Sequence, residues 1–406
     1  MAWTRAQKNA VLAAYLGWTL DAFDFFLMVF VFSDVAKEFH SSNVTATIPL
    51  TLTLAARPLG AYLFGRLGDR YGRKPVLMWN ILAFSVFEAA SGFSPDIASL
   101  LVVRFLFGVA MGGEWGLGSA LTFETIPVSG RGLVSGLLQA GYPSGYFLAT
   151  LTYRLFYDDL GWRWLFFIGA VPSLLVLFIW RGVEESPAWL EQRLRKEESA
   201  LLPAVRREWK LALYAMLLMA CFNFFSHGSQ DTYPNLFLKG QHHFDTKTVS
   251  TITMILNVGA IFGGLAFGYL SQRIGRRRAI MYATLLALPV LPFWAFGTTP
   301  VILAASAFVM QVSVQGAWGI IPVHLNELSP PEIRATFPGV VYQLGNLLAS
   351  VNAPLQVMIA EANGNNYGLA MAIVVGCVSI LIALMVAWGP ERRGVAMADA
   401  HRAPLT

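Results

Sequence analysis

Charged residues are scarce in this sequence, because Asp, Glu, Lys and Arg together make up only 13% of its 406 residues. A soluble globular domain carries about twice that share. Hydrophobic residues reach 56%, and the mean hydropathy is +0.55. The composition excludes an ordinary soluble protein and indicates an integral membrane protein whose surroundings are a lipid bilayer.

Cysteine and histidine are also rare, with two and six residues respectively. Cys221 and Cys377 both fall inside apolar segments, so neither a disulfide framework nor a metal site is expected. The sequence shows no clustered metal ligands and no nucleophile motif. We therefore expect no enzyme activity and no cofactor.

Long apolar runs are abundant instead. A helix needs about 20 apolar residues to cross about 30 Å of hydrocarbon. The first run contains Asp21 and Asp24 and lacks a small-residue cleavage site, so it is expected to be a retained helix and not a signal peptide. The predicted fold class is an all-α membrane protein with twelve transmembrane helices. The twelve runs lie near residues 11–35, 46–66, 75–93, 97–123, 132–153, 163–181, 210–238, 248–271, 279–297, 300–325, 335–360 and 367–388.

Basic residues are distributed unevenly between the predicted loops. If both termini are cytoplasmic, 22 of the 29 Lys and Arg residues fall in cytoplasmic segments and five in outer loops. This bias follows the positive-inside rule. We expect a multi-pass protein of the cell membrane, in a bacterium the inner membrane, with both termini in the cytoplasm. The net charge of +5 reflects this topology and gives no reason to expect nucleic-acid binding.

The two halves of the chain repeat each other at an offset of 203 residues. They form two predicted six-helix halves, 1–181 and 210–406, joined by a charged cytoplasmic linker at 182–209. Parallel repeats of this kind occur in transporters whose binding site lies at the membrane midplane between the halves. The offset pairs Gly60 with Gly263, Arg73 with Arg276, Trp115 with Trp318, Glu124 with Glu327, and Arg131 with Arg334.

The seventh apolar run carries a stripe of polar residues. Asn223, His227 and Asp231 are four residues apart, with Ser226 and Gln230 between them, so a helix would place all five on one face. An ionisable group at mid-membrane costs about 2.5–3.5 kcal/mol on insertion scales and usually faces a water-filled path or a bundle interior. The stripe therefore predicts a functional site, although a histidine such as His227 can also serve only in packing.

Two motifs carry a family resemblance. The segment Gly65-Arg-Leu-Gly-Asp-Arg-Tyr-Gly-Arg-Lys74 resembles the signature loop between helices 2 and 3 of the major facilitator superfamily, and 268–278 resembles its degenerate copy. The copy has Gln272 in place of Asp69, so an acidic latch with Asp69 and Arg73 is expected in the N-terminal half. The polar stripe is similar to the helix 7 signature of lactate and pyruvate–proton symporters in the sialate–proton symporter group. The resemblance implies two rocking halves and coupled transport of an acid and a proton.

Arg57 lies near mid-bilayer in the second predicted helix. Its planar guanidinium can bind a carboxylate through two hydrogen bonds. The resemblance supports this role, since related carboxylate symporters have an arginine at this place. The alternative is a structural ion pair with Asp21 or Asp24 on the first helix, and the two arrangements can alternate during a transport cycle.

Other buried charges have structural alternatives as well. Arg104 and Glu88 lie at similar depths on antiparallel helices, which allows either an ion pair or a functional role. Glu114 follows two glycines that permit close helix packing, so it either bonds a neighbouring helix or carries a proton. Glu124 and Arg131 are expected to form gate or helix-terminus ion pairs, as are their repeats. His324 is expected to be solvated.

These residues together predict a proton-coupled symporter of a short monocarboxylate, with lactate or pyruvate first. The substrate would be a small organic acid anion, the proton would be the co-transported ion, and the protein would act as a monomer. A buried carboxyl group can exchange a proton near neutral pH, and the leading proton sites are Asp231 with His227, followed by Glu114 and Asp24. The expected substrate contacts are Arg57, Asn223, His227, Gln343, Asn346 and Tyr142, with Phe23, Phe225 and Tyr146 narrowing the cavity.

Two alternatives remain open at this point. Sialic acid, an aromatic acid or a dicarboxylate could replace lactate as the substrate. The chain could also be a receptor that senses the acid without moving it. A receptor usually needs a sizeable soluble output domain, whereas the longest predicted segment outside the membrane is only 182–209.

Overall fold

The computed structural model describes residues 3–125, 131–186, 189–190, 206–328 and 337–392. These residues form twelve helical units, which confirms the predicted fold class. On length and composition alone, eight of the described helices could cross a membrane. Most of the predicted linker 182–209 lies outside the described residues.

Six of the units are interrupted, although each was predicted as one continuous helix. In α7 the break follows Asp231, and Pro234 at the start of the second segment has no backbone N–H to continue the helical bonding. The units are α1 (Arg5–Val29 and Phe32–Glu38), α2 (Asn43–Tyr71), α3 (Arg73–Gly92), α4 (Ile97–Thr125), α5 (Arg131–Leu160), α6 (Trp162–Ile168, Val171–Leu174 and Leu175–Gly182), α7 (Trp209–Gln230 and Tyr233–Gln241), α8 (Thr246–Ile274), α9 (Arg276–Leu285 and Ala287–Phe296), α10 (Pro300–Trp318 and Ile321–Leu328), α11 (Phe337–Ala349 and Asn352–Ala362) and α12 (Tyr367–Trp388).

The sequence repeat reappears in the helix packing. Helix α2 packs along α4 in the first half, and α8 packs along α10 in the second. Gly60 lies against the Val109 carbonyl oxygen, and its repeat partner Gly263 lies against the Val312 carbonyl oxygen. A Cβ atom at either glycine would collide with that oxygen, so both close approaches depend on the absence of a side chain.

The two signature loops turn at glycines with positive φ. Gly72 has a φ of 110° and Gly275 a φ of 98°, in the region that favours glycine. The Glu185 carboxylate accepts hydrogen bonds from the backbone N–H groups of Arg73 at 3.0 Å and Lys74 at 3.2 Å. In the second half, Glu391 accepts from the first N–H of α9 at 2.8 Å. Each carboxylate thus satisfies free amides at a helix N-terminus.

An ion pair lies near the loop between α8 and α9. Arg276 Nε lies 3.1 Å from a Glu327 carboxylate oxygen, and both side chains are buried. The expected helix-terminus pairing of Glu327 is therefore with Arg276. The side chains of Asp69, Glu124 and Arg131, and the whole of Arg334, lie outside the described part of the chain, so their gate roles stay predictions.

The two ends of the molecule differ in how the halves meet. We call the end that carries the start of α1 and the end of α12 the terminal side, and the other end the opposite side. On the opposite side, Asn235 of α7 donates to the Phe30 carbonyl at 2.6 Å and accepts from the Ser33 N–H and hydroxyl at 3.0 Å. Lys239 donates to the Tyr157 hydroxyl at 2.7 Å. These contacts close the opposite side.

Candidate functional site

A small pocket, partly open to solvent, lies between the two halves. Each half contributes one Trp and one Tyr ring to its wall. A second space shares part of this wall and extends along α10 to Leu325 towards the terminal side. The first pocket is lined by the rings of Trp18, Tyr142, Trp318 and Tyr342 and by the polar side chains of Gln139, Asn223, Ser226, His227 and Gln315.

The polar stripe of α7 supplies three of these side chains. Asn223, Ser226 and His227 line the pocket and are almost fully buried. Asn223 Nδ2 donates to the Met219 carbonyl at 2.8 Å, which fixes its amide on its own helix. The predicted face is therefore present for one and a half turns of α7.

His227 and Asp231 form a buried pair directly behind the pocket wall. His227 Nδ1 lies 3.1 Å from Asp231 Oδ1, and the two side chains are 4% and 0% exposed. Within the described part of the chain, Asp231 Oδ2 has no hydrogen-bond partner. Phe25 of α1 packs edge-on against the imidazole, with ring centroids 5.6 Å apart. A histidine next to a half-satisfied buried carboxyl group is chemically able to hold and pass a proton.

The remaining stripe residue, Gln230, is not part of the described pocket wall. Its Nε2 donates to Gln311 Oε1 of α10 at 2.7 Å, and Gln311 Nε2 donates to Ser229 at 3.0 Å. The first segment of α7 ends at Gln230, so the helical spacing that defined the stripe ends there too. Gln230 serves as a link between α7 and α10.

Arg57 forms an ion pair with Asp21, which is the structural alternative to carboxylate binding. The two side chains are 1% and 0% exposed, and Nη2 lies 3.5 Å from Asp21 Oδ2. The Arg57 guanidinium carbon also lies over the Trp18 ring, 5.8 Å from its centroid. Trp18 in turn lines the pocket, so Arg57 contacts the pocket wall but is not among the residues described as lining it.

The core of the N-terminal half holds more carboxyl groups than guanidinium groups. Arg104 pairs with Glu88 at 2.5 Å and Arg57 pairs with Asp21. Asp24 and Glu114 remain, and the described residues give none of their carboxyl oxygens a hydrogen-bond partner. An unpaired carboxylate is costly to bury, which keeps both as candidates to carry a proton.

Several predicted contacts are not in the pocket wall of the described structure. Asn346 Nδ2 donates to Gln343 Oε1 at 2.9 Å, and α11 presents Tyr342 to the pocket instead of these two amides. Tyr142 lines the pocket as expected, whereas Tyr146 stacks on Phe26 with ring centroids 3.7 Å apart.

Phe23 and Phe225 are buried but are not among the described residues that line the pocket. The expectation that His324 is solvated is wrong. Its side chain is fully buried, because α10 continues past it to Leu328 and is covered by neighbouring helices.

The sequence reasoning missed Trp18, Gln139, Gln315, Trp318 and Tyr342, which all line the pocket. One signal was available, because Gln311 and Gln315 stand four residues apart in an apolar run and repeat the pattern of α7. The aromatic residues carried no such signal, since rings are common throughout this chain.

Comparison with known sequences decides the family. The sequence profile of the Major Facilitator Superfamily matches residues 14–351, with an overlapping match over 216–404. The chain belongs to the Major Facilitator Superfamily. With this family and transporter relatives along its length, it is a multi-pass membrane transporter and not an enzyme.

Its relatives include transporters of organic acids. The chain is 28% identical to the sialic acid transporter NanX of Escherichia coli over 387 residues, which is 94% of this chain and 93% of that protein. It is 29% identical to a carboxylic acid transporter protein homolog of Saccharomyces cerevisiae, covering 95% of this chain and 68% of that protein. It is 25% identical to the cis,cis-muconate transport protein of Acinetobacter baylyi, covering 90% of each.

A solved structure supports the fold. The partially occluded inward open form of the xylose transporter XylE from E. coli superposes with a TM-score of 0.77, covering 97% of this chain and 100% of that one. The sequences are only 18% identical, so this likeness concerns the fold alone.

Proposed function

We propose that this transporter is a proton-coupled symporter of small organic acid anions, with lactate and pyruvate as its first candidates. It would act as a monomer in the cell membrane, in a bacterium the inner membrane, with its terminal side in the cytoplasm. The co-transported ion would be a proton, and no cofactor would be needed. The names of the relatives support an organic acid, and the positive-inside charge bias supports the orientation.

The observation that carries this proposal is the His227–Asp231 pair at the pocket. Asn223 and His227 face the space between the halves, while Asp231 lies behind them with one oxygen unpartnered in the described structure. A proton on this pair and an anion in the pocket sum to zero charge. Neutralisation lowers the cost of moving both through a low-dielectric interior.

The Arg57–Asp21 pair would supply the carboxylate site. The contact is long for an ion pair, at 3.5 Å, so a substrate carboxylate that makes two good hydrogen bonds to the guanidinium can replace Asp21. Trp18, which contacts Arg57 and lines the pocket, would have to move. Asp21 would then lose its counter-charge, and a nearby proton, on Asp24 or Glu114, would compensate.

Alternating access would follow from rocking of the two halves about the pocket. The described contacts of Asn235 and Lys239 close the opposite side, while the second space extends towards the terminal side. This conformation would exchange substrate with the cytoplasm. Opening of the opposite side would break the Asn235 contacts and expose the same pocket there.

Sialic acid is the second candidate, and the likeness to NanX favours it. The pocket wall offers five polar side chains and four aromatic rings, whereas a nine-carbon sugar acid carries many hydroxyl groups that need partners. The pocket therefore favours a small acid. A receptor without transport is disfavoured, because the relatives that align along the chain are named as transporters.

A competition panel tests the substrate. Purified protein is reconstituted in liposomes preloaded with unlabelled lactate, and counterflow of labelled lactate is measured with competing acids outside. We expect pyruvate, acetate and propionate to compete and sialic acid to have no effect. Counterflow of labelled sialic acid, with no response to the short acids, would contradict the small-acid proposal.

A further inference from the structure

Two glutamine side chains face the pocket from opposite halves of the protein. Gln315 belongs to α10 and Gln139 to α5, and both line the pocket. Neither belongs to the α7 stripe or to the amides of α11. They are the amides in the described pocket wall that are best placed to meet a ligand.

Gln315 is buried but incompletely bonded. Its side chain is 3% exposed, and its described hydrogen bond is from Nε2 to Ser226 Oγ at 3.4 Å. That distance is near the upper limit for a hydrogen bond. A glutamine amide offers two N–H donors and a carbonyl oxygen. One N–H and the carbonyl oxygen of Gln315 are therefore available to a ligand.

Gln311, one helical turn earlier on α10, shows the contrasting case. Its carbonyl oxygen accepts from Gln230 at 2.7 Å, and its Nε2 donates to Ser229 at 3.0 Å. Its side chain is fully buried, and it is not part of the described pocket wall. Both ends of this amide are used in joining α7 to α10, so Gln311 is structural and Gln315 is not.

Gln139 completes the pair from the N-terminal half. Its side chain is half-buried and borders both the pocket and the adjoining space. Among the described residues, its amide has no hydrogen-bond partner. A ligand bonded by Gln139 and Gln315 would touch both halves at once.

The rest of the wall explains why these amides would decide specificity. Aromatic walls discriminate weakly between ligands of similar size, by about 1–3 kcal/mol for one methylene. A site built to hydrogen-bond an oxygen rejects a ligand that lacks it much more strongly, because the buried amide is left unpaired. The four rings of the pocket therefore limit the size of the ligand, and the amides select ligands that carry an oxygen atom for them to bond.

From this placement we propose that Gln315 and Gln139 bind the second oxygen of the substrate, the hydroxyl or keto group beside its carboxylate. Gln315 and Gln139 are then the residues that select 2-oxygenated acids over simple fatty acids. The inference rests on the proposed function as a carrier of small organic acids, and it assigns the specificity of that same pocket.

The test compares three acids that differ only at this position: propionate with no second oxygen, lactate with a hydroxyl, and pyruvate with a keto group. Their dissociation constants are measured by calorimetry on purified wild-type protein and on Gln315→Leu, Gln139→Leu and Gln311→Leu. Leu nearly preserves volume and removes the hydrogen bonds. Gln315→Asn, which keeps the amide but withdraws it by one methylene, is measured alongside.

We expect wild-type protein to bind lactate and pyruvate more tightly than propionate by about tenfold. In Gln315→Leu and Gln139→Leu this preference should fall to about threefold or less, through weaker binding of lactate and pyruvate while propionate is unchanged. Gln315→Asn should lose part of the preference. Gln311→Leu should lower the melting temperature but keep the wild-type ratio.

The outcomes distinguish a wrong assignment of the two amides from a wrong proposed function. If wild-type protein binds the three acids and both Leu variants keep the wild-type ratio, the assignment of the amides is wrong and the proposed function stands. If wild-type protein binds none of the acids, the proposed function fails and the assignment fails with it. If Gln315→Leu does not fold, the preference for lactate and pyruvate over propionate in Gln315→Asn and Gln139→Leu tests the assignment.

Discussion

His227 Nδ1 lies 3.1 Å from Asp231 Oδ1, and this buried pair stands where α7 breaks. On one side of the break, His227 and Asn223 line the pocket. On the other side, Asn235 binds α1 and closes the opposite side. The two segments of α7 therefore connect the pocket, the proposed proton site and the contacts that close the opposite side.

Asp231→Asn keeps the shape of this side chain but removes its ability to gain and lose a proton. We expect the variant to exchange labelled for unlabelled lactate at equal pH, at a rate within about threefold of wild type. Accumulation driven by a pH gradient should be lost, because substrate entry is no longer tied to a proton. Both rates are measured in proteoliposomes. Gradient-driven accumulation by the variant would assign proton coupling to Glu114 or Asp24 instead.

Arg57→Lys keeps the positive charge but removes the planar fork that binds both carboxylate oxygens. We expect the affinity for lactate to fall by about tenfold or more, measured by calorimetry. The matched control is Arg104→Lys, since Arg104 pairs with Glu88 in the same half and lies over Phe107 and Phe166, which are not in the described pocket wall, whereas Arg57 lies over Trp18, which is. Arg104→Lys should lower stability with little change in affinity. Normal lactate affinity in a folded Arg57→Lys protein would exclude Arg57 from substrate binding.

Asn235→Ala removes three hydrogen bonds between the halves on the opposite side. Each is worth about 0.5–1.5 kcal/mol, so the population open on that side should rise by about tenfold or more. Spin labels at the exposed positions Asp159 and Lys247 report the separation of the halves there. Asn363→Ala is the control, because the described hydrogen bond of the Asn363 side chain goes to the Ile359 carbonyl of the adjoining helix and not to the other half. An unchanged distance distribution would show that Asn235 does not hold this side closed.

Gly60→Ala places a Cβ atom against the Val109 carbonyl oxygen, at a close contact between α2 and α4. Overpacking of this kind costs about 1–3 kcal/mol or more, so the melting temperature should fall by several degrees. Gly65→Ala on the same helix is the control, because a Cβ there meets no atom within 4 Å. Thermal unfolding in detergent compares the two. Equal melting temperatures would mean that α2 and α4 have room to separate.

The sequence predicts the fold well, for reasons that lie in the physics of membranes. A helix must satisfy all its backbone groups internally to cross a bilayer, so the twelve apolar runs locate the helices. The same rule does not locate breaks such as the one after Asp231, because the freed backbone groups there are satisfied by partners from other helices. Gln356 of α11, for example, donates to the Gly228 carbonyl at 2.8 Å.

The pocket could be predicted only in part. Asn223 and His227 were found because ionisable and amide groups are conspicuous in an apolar run. Gln343 and Asn346 satisfied the same criterion, yet they bond each other at 2.9 Å while Tyr342 faces the pocket. Trp18 and Trp318 were missed, because the sequence pattern of a ring that lines a pocket is the same as that of a ring in the core. Which side of a helix faces its partner depends on contacts between segments far apart in the chain.

If entry of an acid anion is coupled to entry of a proton, initial uptake rates under a pH gradient measure that coupling. Labelled lactate is added to proteoliposomes that are alkaline inside, and protein-free liposomes in parallel correct for passive entry of the undissociated acid. The proposal predicts that the gradient increases protein-dependent uptake at least severalfold and drives accumulation above the outside concentration, and that a protonophore abolishes both effects. Protein-dependent uptake that is the same with and without the gradient would contradict it.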